Sequence, residues 1–340
     1  MSRTSFDRLF ELARAIFDER APVYSLGPEI SSLAELVREH ATIQIDPSQV
    51  RGVGETHAAT GLALSPTMAG RCADDVARTA VFVRGLHRAI GESRGSAPER
   101  PTRALYAGCG PYALLALPAM ASFGPDELQF TLLDIHGASI ESARTVVGAL
   151  GLSDHVAAFE AIDACRYRIP LGRPPDVILS ETMNACLRTE PQVAIIRHLH
   201  AQAPSAALVP ESVRVDAYLV DVVKEFRFVE QDADSSPPKR DRVFLGTVFE
   251  LSAETIASWT DERGDRLPAA SIRIPDPLEP RYTPMLLTQV VVDRDHVLRA
   301  YDSGLTIPKH VPFDGPIRGG ETLAFHYRLG SRPGLVCEAA

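Results

Sequence analysis

Ala104-Leu105-Tyr106-Ala107-Gly108-Cys109-Gly110 gives the strongest indication of fold in this chain. The apolar run predicts a buried strand, and the Gly-x-Gly after it predicts a sharp turn that opens a helix over 113–121. Further strands are predicted over 130–134, 156–161 and 177–179, and helices over 139–150 and 191–203. Because such alternation is typical of right-handed crossovers, we expect a parallel sheet.

Helical patterns precede this region. Residues 1–50 carry apolar side chains at helical spacing, interrupted by Pro and Gly at 21–28, with a second helix expected over 31–40. Phe6 and Phe10 are expected on the apolar face of the first helix. Another helix is predicted over 66–93, followed by a polar linker at 91–101.

The pattern changes after Pro210, where apolar and polar residues alternate. Strands are predicted over 213–220, 242–251, 286–292 and 322–327, with a short helix over 253–259. Residues 231–239 (QDADSSPPK) are expected to form a loop or flexible arm. The predicted fold class is therefore α/β: a doubly wound Rossmann-like sheet with N-terminal helices and a C-terminal antiparallel β-barrel or sandwich. The expected domain bounds are 1–65, 66–209 and 210–340.

Composition excludes several classes of protein. The net charge of -9 argues against a nucleic-acid-binding protein, which usually presents a basic face. The sequence contains no run of 18 apolar residues, so no membrane span is predicted. The first residues lack the apolar core of an export signal, so export is not expected. The five cysteines are scattered, which fits a reducing cytoplasm and predicts no structural metal site.

The turn at Gly108 and Gly110 is a candidate cofactor site. Glycine permits close approach of the backbone to a ligand, and Asp134, at the end of the next strand, is placed to bind two ribose hydroxyls. Asp163, after the third strand, is a candidate partner for an adenine amino group. These residues leave a nicotinamide dinucleotide and S-adenosylmethionine as alternatives, and a simple packing turn beside an unrelated Asp as a third. Arg78 either reaches over the pocket to bind a carboxylate or lies solvated on its helix.

Ser180-Glu181-Thr182-Met183 and Glu190 form the candidate substrate site. Two carboxylates after a buried strand lie where α/β sheets bind ligands, and they suit a guanidinium, which is planar, charged and forked. The alternative is that both are solvated loop acids. Met183 is expected either beside the reacting groups or in the core.

Taken together, these motifs resemble the protein arginine methyltransferase family. Residues 180–183 with Glu190 look like its double-glutamate loop, and Asp75-Val76-Ala77-Arg78-Thr79 looks like its Asp-x-x-Arg-Thr helix. The resemblance covers about residues 66–340. It implies an enzyme that uses S-adenosylmethionine, with Arg78 on the methionine carboxylate and Glu181 and Glu190 on the guanidinium. It also implies a homodimer formed through an arm of the barrel; because residues 231–239 are polar, the apolar N-terminal helices are the alternative contact.

Departures from the family pattern point to a small substrate. The N-terminal Tyr-Phe-x-x-Tyr cluster is replaced by residues 57–66, and the Thr-His-Trp segment of the barrel by 283–289. Because these features face a peptide in the family, free L-arginine is the favoured substrate, as in related enzymes of bacterial natural-product pathways. The alternatives are a protein arginine methyltransferase, a non-catalytic cofactor-binding subunit and a nicotinamide-dependent oxidoreductase. Candidates for the amino-acid head group of the substrate are His57, Tyr282, Gln289 and His326.

Overall fold

The computed structural model describes residues 4–45, 54–226, 239–259 and 264–339. Most of the loop or arm expected at 231–239 lies outside the described residues. The α-helices of the described residues are α1 (Ser5–Phe17), α2 (Gly27–His40), α3 (Pro66–Arg71), α4 (Val76–Ser96), α5 (Leu117–Ser122), α6 (Gly137–Ala149), α7 (Gln192–His200), α8 (Val222–Glu225) and α9 (Ala253–Ser258). None of these helices has the length and apolar character needed to cross a bilayer.

Strands make up the rest of the regular structure. They are β1 (Thr56–Ala58), β2 (Gly61–Ala63), β3 (Thr102–Ala107), β4 (Leu128–Asp134), β5 (Val156–Ala161), β6 (Val177–Ser180), β7 (Ala207–Val209), β8 (Ser212–Asp221), β9 (Arg242–Ser252), β10 (Arg266–Arg273), β11 (Tyr282–Val291), β12 (Val297–Leu298), β13 (Lys309–His310), β14 (Thr322–Arg328) and β15 (Gly334–Ala339).

The centre of the molecule is the predicted parallel sheet, in the order β5-β4-β3-β6-β7. The central strands β3 and β6 are apolar almost throughout because helices cover both faces of the sheet, and all of β6 is buried. This arrangement confirms the predicted Rossmann-like α/β fold and brings the carboxyl ends of β3, β4, β5 and β6 to one edge.

The prediction of a helix directly after the Gly-x-Gly turn is wrong. Ala113 adopts a left-handed φ of 48°, which interrupts any helix there, and α5 begins only at Leu117. The predicted linker at 91–101 is also wrong over its first part, because α4 continues to Ser96. Arg94 stabilises this last turn by donating to the backbone oxygen and the carboxylate of Glu127.

The N-terminal helices pack onto the sheet domain and share its core. Leu9, Ala13 and Ile16 of α1 are fully buried against α2, α4 and α5, as the helical spacing predicted. Phe6 and Phe10 depart from the prediction, since they are 40% and 39% exposed. Their positions place them on the edge of the apolar stripe, where they stack on each other.

The C-terminal half is antiparallel, as predicted. One sheet has the order β12-β11-β8-β9, with β13 also on β11, and the other has the order β10-β14-β15. Strand β10 was not predicted because its alternation is broken by a register shift between Pro268 and Ser271. The predicted combination of a Rossmann-like sheet with a C-terminal antiparallel β domain is thus confirmed.

Candidate functional site

A cavity of about 460 Å³ lies at the carboxyl edge of the parallel sheet. This is where α/β sheets bind ligands, and the volume falls within the roughly 300–1,000 Å³ of small-molecule sites. All the cofactor and catalytic residues predicted from the sequence line this one cavity: Arg78, Gly108, Gly110, Asp134, Asp163, Glu181, Met183 and Glu190.

The glycine turn after β3 forms the floor of the cavity. Gly108 and Gly110 have φ values of +76° and +64°, a conformation that glycine adopts without strain. A Cβ atom on Gly108 would lie 2.2 Å from Cγ2 of Thr182, so only glycine lets the turn after β3 approach the loop after β6. The turn therefore needs glycine for both its conformation and its packing.

Asp134, at the end of β4, is held in place by backbone amides. Gly110 N donates to its Oδ2 at 2.9 Å, and His136 N donates to its Oδ1 at 2.9 Å. Each carboxylate oxygen can accept a second hydrogen bond, so this carboxylate can still bind ligand hydroxyl groups. Asp163 follows β5, is half-buried, and accepts a hydrogen bond from Cys165 N at 2.9 Å.

The late start of α5 bears on the choice between cofactors. A dinucleotide places its pyrophosphate on the N-terminus of the helix after the glycine turn. Here α5 begins at Leu117, several residues beyond Gly110, and has only six residues. The local geometry is therefore poorly suited to a pyrophosphate, which disfavours the nicotinamide dinucleotide.

Arg78 lies in the first turn of α4 and is 8% exposed, which excludes a solvated side chain on the helix face. It forms a close ion pair with Glu181, and its Nη1 donates to the backbone oxygen of Cys72 at 2.9 Å. Among the described residues, its buried Nε atom has no hydrogen-bond partner.

The start of α4 is also fixed by the C-terminal domain. Asp75 caps the helix by accepting a hydrogen bond from Arg78 N at 3.0 Å. Its other oxygen accepts hydrogen bonds from Ser303 Oγ at 2.7 Å and Gly304 N at 3.0 Å. A loop of the β domain therefore helps to set the position of Arg78.

The loop between the two glutamates has an unusual backbone. Cys186, Leu187 and Thr189 have φ values of +62°, +52° and +61°, a region that costs a non-glycine residue about 1–3 kcal/mol. Asn184 holds the loop, since its Nδ2 donates to Thr189 Oγ1 at 2.8 Å and its Oδ1 accepts from Arg188 N at 3.0 Å. Strain of this kind persists only where surrounding contacts impose it, and it is common at functional sites.

The β domain supplies several of those contacts. Cys186 N donates to Thr288 Oγ1 at 2.8 Å, and Tyr327 donates its hydroxyl to the backbone oxygen of Leu187 at 2.8 Å. Glu181 is 9% exposed and Glu190 is half-buried, so neither is a solvated loop acid. Met183, 4% exposed, both lines the cavity and belongs to the core.

A hairpin that the sequence did not reveal borders the cavity beside this loop. It is formed by β1 and β2, within the segment that departs from the family pattern, and Leu62 N donates to the backbone oxygen of Thr189 at 2.7 Å. The lining residues that it contributes, or that flank it, are Glu55, Ala58, Thr60, Leu62, Ala63 and Leu64. The Thr60-Gly61 pair is the one turn signal that could have indicated it.

The candidates for binding the substrate head group do not line the cavity. His57 is exposed, and Tyr282 donates its hydroxyl to Asp241 in the β domain at 2.9 Å. Gln289 and His326 lie on β11 and β14, away from the cavity lining. The β domain reaches this cavity through the loop at Gly304 and Leu305 instead.

The charges of the cavity favour a cationic ligand. Its acidic lining residues are Glu55, Asp75, Asp134, Asp163, Glu181 and Glu190, and its arginines are Arg71 and Arg78. Burial raises the pKa of the Cys109 thiol well above its ordinary value, so this thiol stays neutral. Within the described ranges, no group of three or more His, Cys, Asp or Glu residues is arranged to hold a metal ion.

Comparison with known proteins extends the description of the fold. The sequence matches no protein-family model, and a search of curated proteins finds no match. Among solved structures, the chain is similar to the PRMT1 enzyme-prozyme heterotetrameric complex of Trypanosoma brucei with AdoHcy. The TM-score is 0.51 at 12% identity, over 77% of this chain and 87% of that chain. A second similar structure is protein arginine methyltransferase 10 of Arabidopsis thaliana, with a TM-score of 0.46 at 12% identity, over 76% and 86% of the two chains. At 12% identity, the similarity to the first of these structures supports the assignment of the fold.

Proposed function

We propose that this protein transfers a methyl group from S-adenosylmethionine to a guanidino nitrogen of a small molecule, with free L-arginine as the favoured substrate. The observation that carries the proposal is that one cavity combines an edge suited to binding a nucleoside with a pair of carboxylates suited to binding a guanidinium. The edge is made by Gly108, Gly110 and Asp134, and the pair by Glu181 and Glu190. By its resemblance to free-arginine enzymes, we place the reaction in a bacterial natural-product pathway.

The residues present fit the cofactor. Asp134 would accept hydrogen bonds from the ribose hydroxyls, Asp163 would accept one from the adenine amino group, and Arg78, which lines the cavity, would bind the methionine carboxylate. When bound, S-adenosylmethionine supplies an electrophilic methyl group on a positively charged sulfur. The acidic lining of the cavity balances that charge together with the charge of a guanidinium.

Glu181 and Glu190 carry the chemistry of the protein in this proposal. A guanidinium is a poor nucleophile because its lone pairs are delocalised and its pKa lies above about 12. Two carboxylates that accept its N–H hydrogen bonds orient one nitrogen towards the methyl group and draw positive charge away from it. Orientation of reacting groups can supply about 7–11 kcal/mol of the barrier reduction.

The hairpin supports a small substrate over a peptide. Leu62 ties it to Thr189, the residue before the second glutamate, so β1 and β2 border the cavity beside the substrate carboxylates. A hairpin in this place takes up room beside Glu190, and a cavity of about 460 Å³ is of the size that suits a small molecule. Peptide arginine is therefore the alternative substrate, and the less favoured one.

The deciding experiment is mass spectrometry of reactions with S-adenosylmethionine and a panel of free guanidino compounds, with arginine-rich peptides in parallel. We expect a gain of one or more methyl groups on free arginine, and S-adenosylhomocysteine, not NAD, should raise the melting temperature. Glu181→Gln should lose several orders of magnitude in turnover while still binding the cofactor. Glu160→Gln, an exposed glutamate on β5, is the matched control. Near-full turnover by Glu181→Gln would contradict the assignment.

A further inference from the structure

The side chain of Gln192 joins the segments that carry the two glutamates. It is fully buried at the first residue of α7, two positions after Glu190. Its Nε2 donates to the backbone oxygen of Ser180 at 2.9 Å. Its Oε1 accepts hydrogen bonds from Thr182 N at 2.9 Å and Thr182 Oγ1 at 2.9 Å.

Ser180 and Thr182 are the neighbours of Glu181 on either side. The side-chain amide of Gln192 therefore bonds to the backbone of the residues before and after Glu181. The backbone of Gln192 itself lies two residues after Glu190. A side-chain amide supplies both the donor and the acceptor that these bonds need, whereas a carboxylate only accepts and an ammonium group only donates. Buried polar groups that are fully paired in this way hold a unique arrangement.

We propose that Gln192 is a positioning residue that fixes the two carboxylates relative to each other, which rests on the proposed function. The need for such a residue follows from the strained loop between Glu181 and Glu190, which would relax without contacts at both ends. Thr288 and Tyr327 hold the middle of this loop, and Gln192 holds its ends together. Displacement of a reacting group by about 1 Å can cost roughly 10²-fold in rate.

Gln192→Met tests this role because it keeps the length of the side chain and removes all of its hydrogen bonds. We expect turnover on the guanidino substrate to fall roughly 10²-fold, with the dissociation constant of S-adenosylhomocysteine changed less than about threefold. The separation is expected because Asp134 is held by Gly110 N, and the Arg78 side chain is also held by the backbone oxygen of Cys72, outside the glutamate loop. Thr182→Val removes the hydroxyl that bonds to Gln192 Oε1 and to Ser180 Oγ but keeps the bond from Thr182 N to Gln192. It should give a smaller fall in turnover, which keeps the test available if Gln192→Met does not fold.

Gln202→Met is the matched control for loss of structure. Gln202 also bonds to the backbone through both ends of its amide, with Ile169 N donating to Oε1 at 3.1 Å and Nε2 donating to the oxygen of Tyr167 at 3.2 Å. It does not line the cavity, so its variant should lose stability and keep wild-type turnover.

Equal turnover for Gln192→Met and wild type would overturn the role of Gln192. Equal losses of turnover in the Gln192 and Gln202 variants would overturn it too. A wild-type protein inactive on every guanidino compound would instead overturn the proposed function, and this role with it.

Discussion

Arg78 and Glu181 are each other's counterion in this structure. The resemblance to arginine methyltransferases assigns one to the cofactor and the other to the substrate, and the ion pair between them is almost completely buried. A buried pair of this kind is strongly destabilised when one partner is removed, because the other charge is left without compensation. The two halves of the proposed site are therefore linked through a single contact.

Replacing Arg78 with Ala should weaken binding of S-adenosylhomocysteine by about 2–4 kcal/mol, the usual cost of losing one partner of a buried charged pair. Arg78→Lys should lose less, since it keeps the charge without the forked geometry. Isothermal titration calorimetry measures both affinities. The double variant Arg78→Ala, Glu181→Gln should regain stability without regaining affinity. An unchanged affinity in Arg78→Ala would remove Arg78 from the cofactor site.

The sequence predicted which charged residues lie at the cavity, but not the contacts that fix their side chains. Asp134 and Glu181 follow strands, so their places at the sheet edge could be inferred from element order, whereas only the family resemblance pointed to Arg78. Gln192 could not be identified, because a buried amide has no local pattern that distinguishes it from a solvated one. Its role depends on the distance between two segments, which is a property of the fold.

At the scale of elements, the hairpin and the glutamate loop form one unit. Gly61, at the start of β2, has a φ of +144°, and a Cβ there would lie 2.8 Å from the backbone oxygen of Thr189. It would also lie 3.2 Å from the carbonyl carbon of Glu190. The close approach of the two backbones thus requires glycine on the hairpin side.

Gly61→Ala should push the hairpin away from the glutamate loop and lower turnover roughly 10- to 100-fold through displacement of Glu190. Gly315→Ala is the matched control, because Gly315 also has a positive φ, +117°, but nothing lies within 4 Å of its added Cβ. Steady-state kinetics on the small substrate measures both variants. If the two variants have the same turnover, crowding at Thr189 has no part in positioning Glu190.

The strands of the parallel sheet could be predicted from the sequence, whereas elements that depend on tertiary contacts could not. Strand β5, at the edge of the sheet, has the predicted bounds, and β6, which is wholly buried, extends the prediction by one residue. The start of α5 was missed because the left-handed φ of Ala113 is imposed by the packed turn. The hairpin of β1 and β2 was missed because three-residue strands carry too little alternation to stand out.

At the scale of the whole molecule, His296 connects the N-terminal helices to the β domain. It is 5% exposed, with its Nδ1 at 2.8 Å from Asp293 Oδ2 and its Nε2 at 3.0 Å from Glu19 Oε1, just beyond α1. Burial alone would raise the pKa of Asp293, but hydrogen bonds from His296 and from backbone amides outweigh burial and lower it below its usual range. The carboxylate form of Asp293 is therefore favoured by folding.

The lowered pKa of Asp293 gives stability a defined dependence on pH. Its contribution is fully present above the unfolded pKa of about 3.9 and is lost as pH falls through the lower folded value. Asp293→Asn should reduce the free energy of unfolding at pH 7 by about 1–3 kcal/mol, and its difference from wild type should shrink in acid. Urea unfolding at several pH values measures this. Asp295→Asn, whose side chain is 60% exposed, should change stability by less than about 1 kcal/mol. A difference for Asp293→Asn that grows in acid would contradict the argument.

The remaining prediction concerns a second copy of the chain. Glu225, buried at the end of α8, binds Arg240, Arg242 and Tyr301, which joins α8 to the start of β9. On these two elements and directly after α8, Val223, Phe226 and Phe244 are 81%, 42% and 56% exposed. Exposed apolar residues in such a group are typical of an interface between proteins, and the resemblance places the dimer contact on this domain.

We expect light scattering to give twice the mass of one chain for the wild type. Phe226→Ser combined with Phe244→Ser should give monomers, since both substitutions remove apolar surface that a second copy would cover. Phe6→Ser combined with Phe10→Ser removes a similar aromatic pair from α1 and should leave the dimer intact. The opposite outcome, with the α1 variant monomeric, would move the interface to the N-terminal helices. A monomeric wild type would exclude the homodimer altogether.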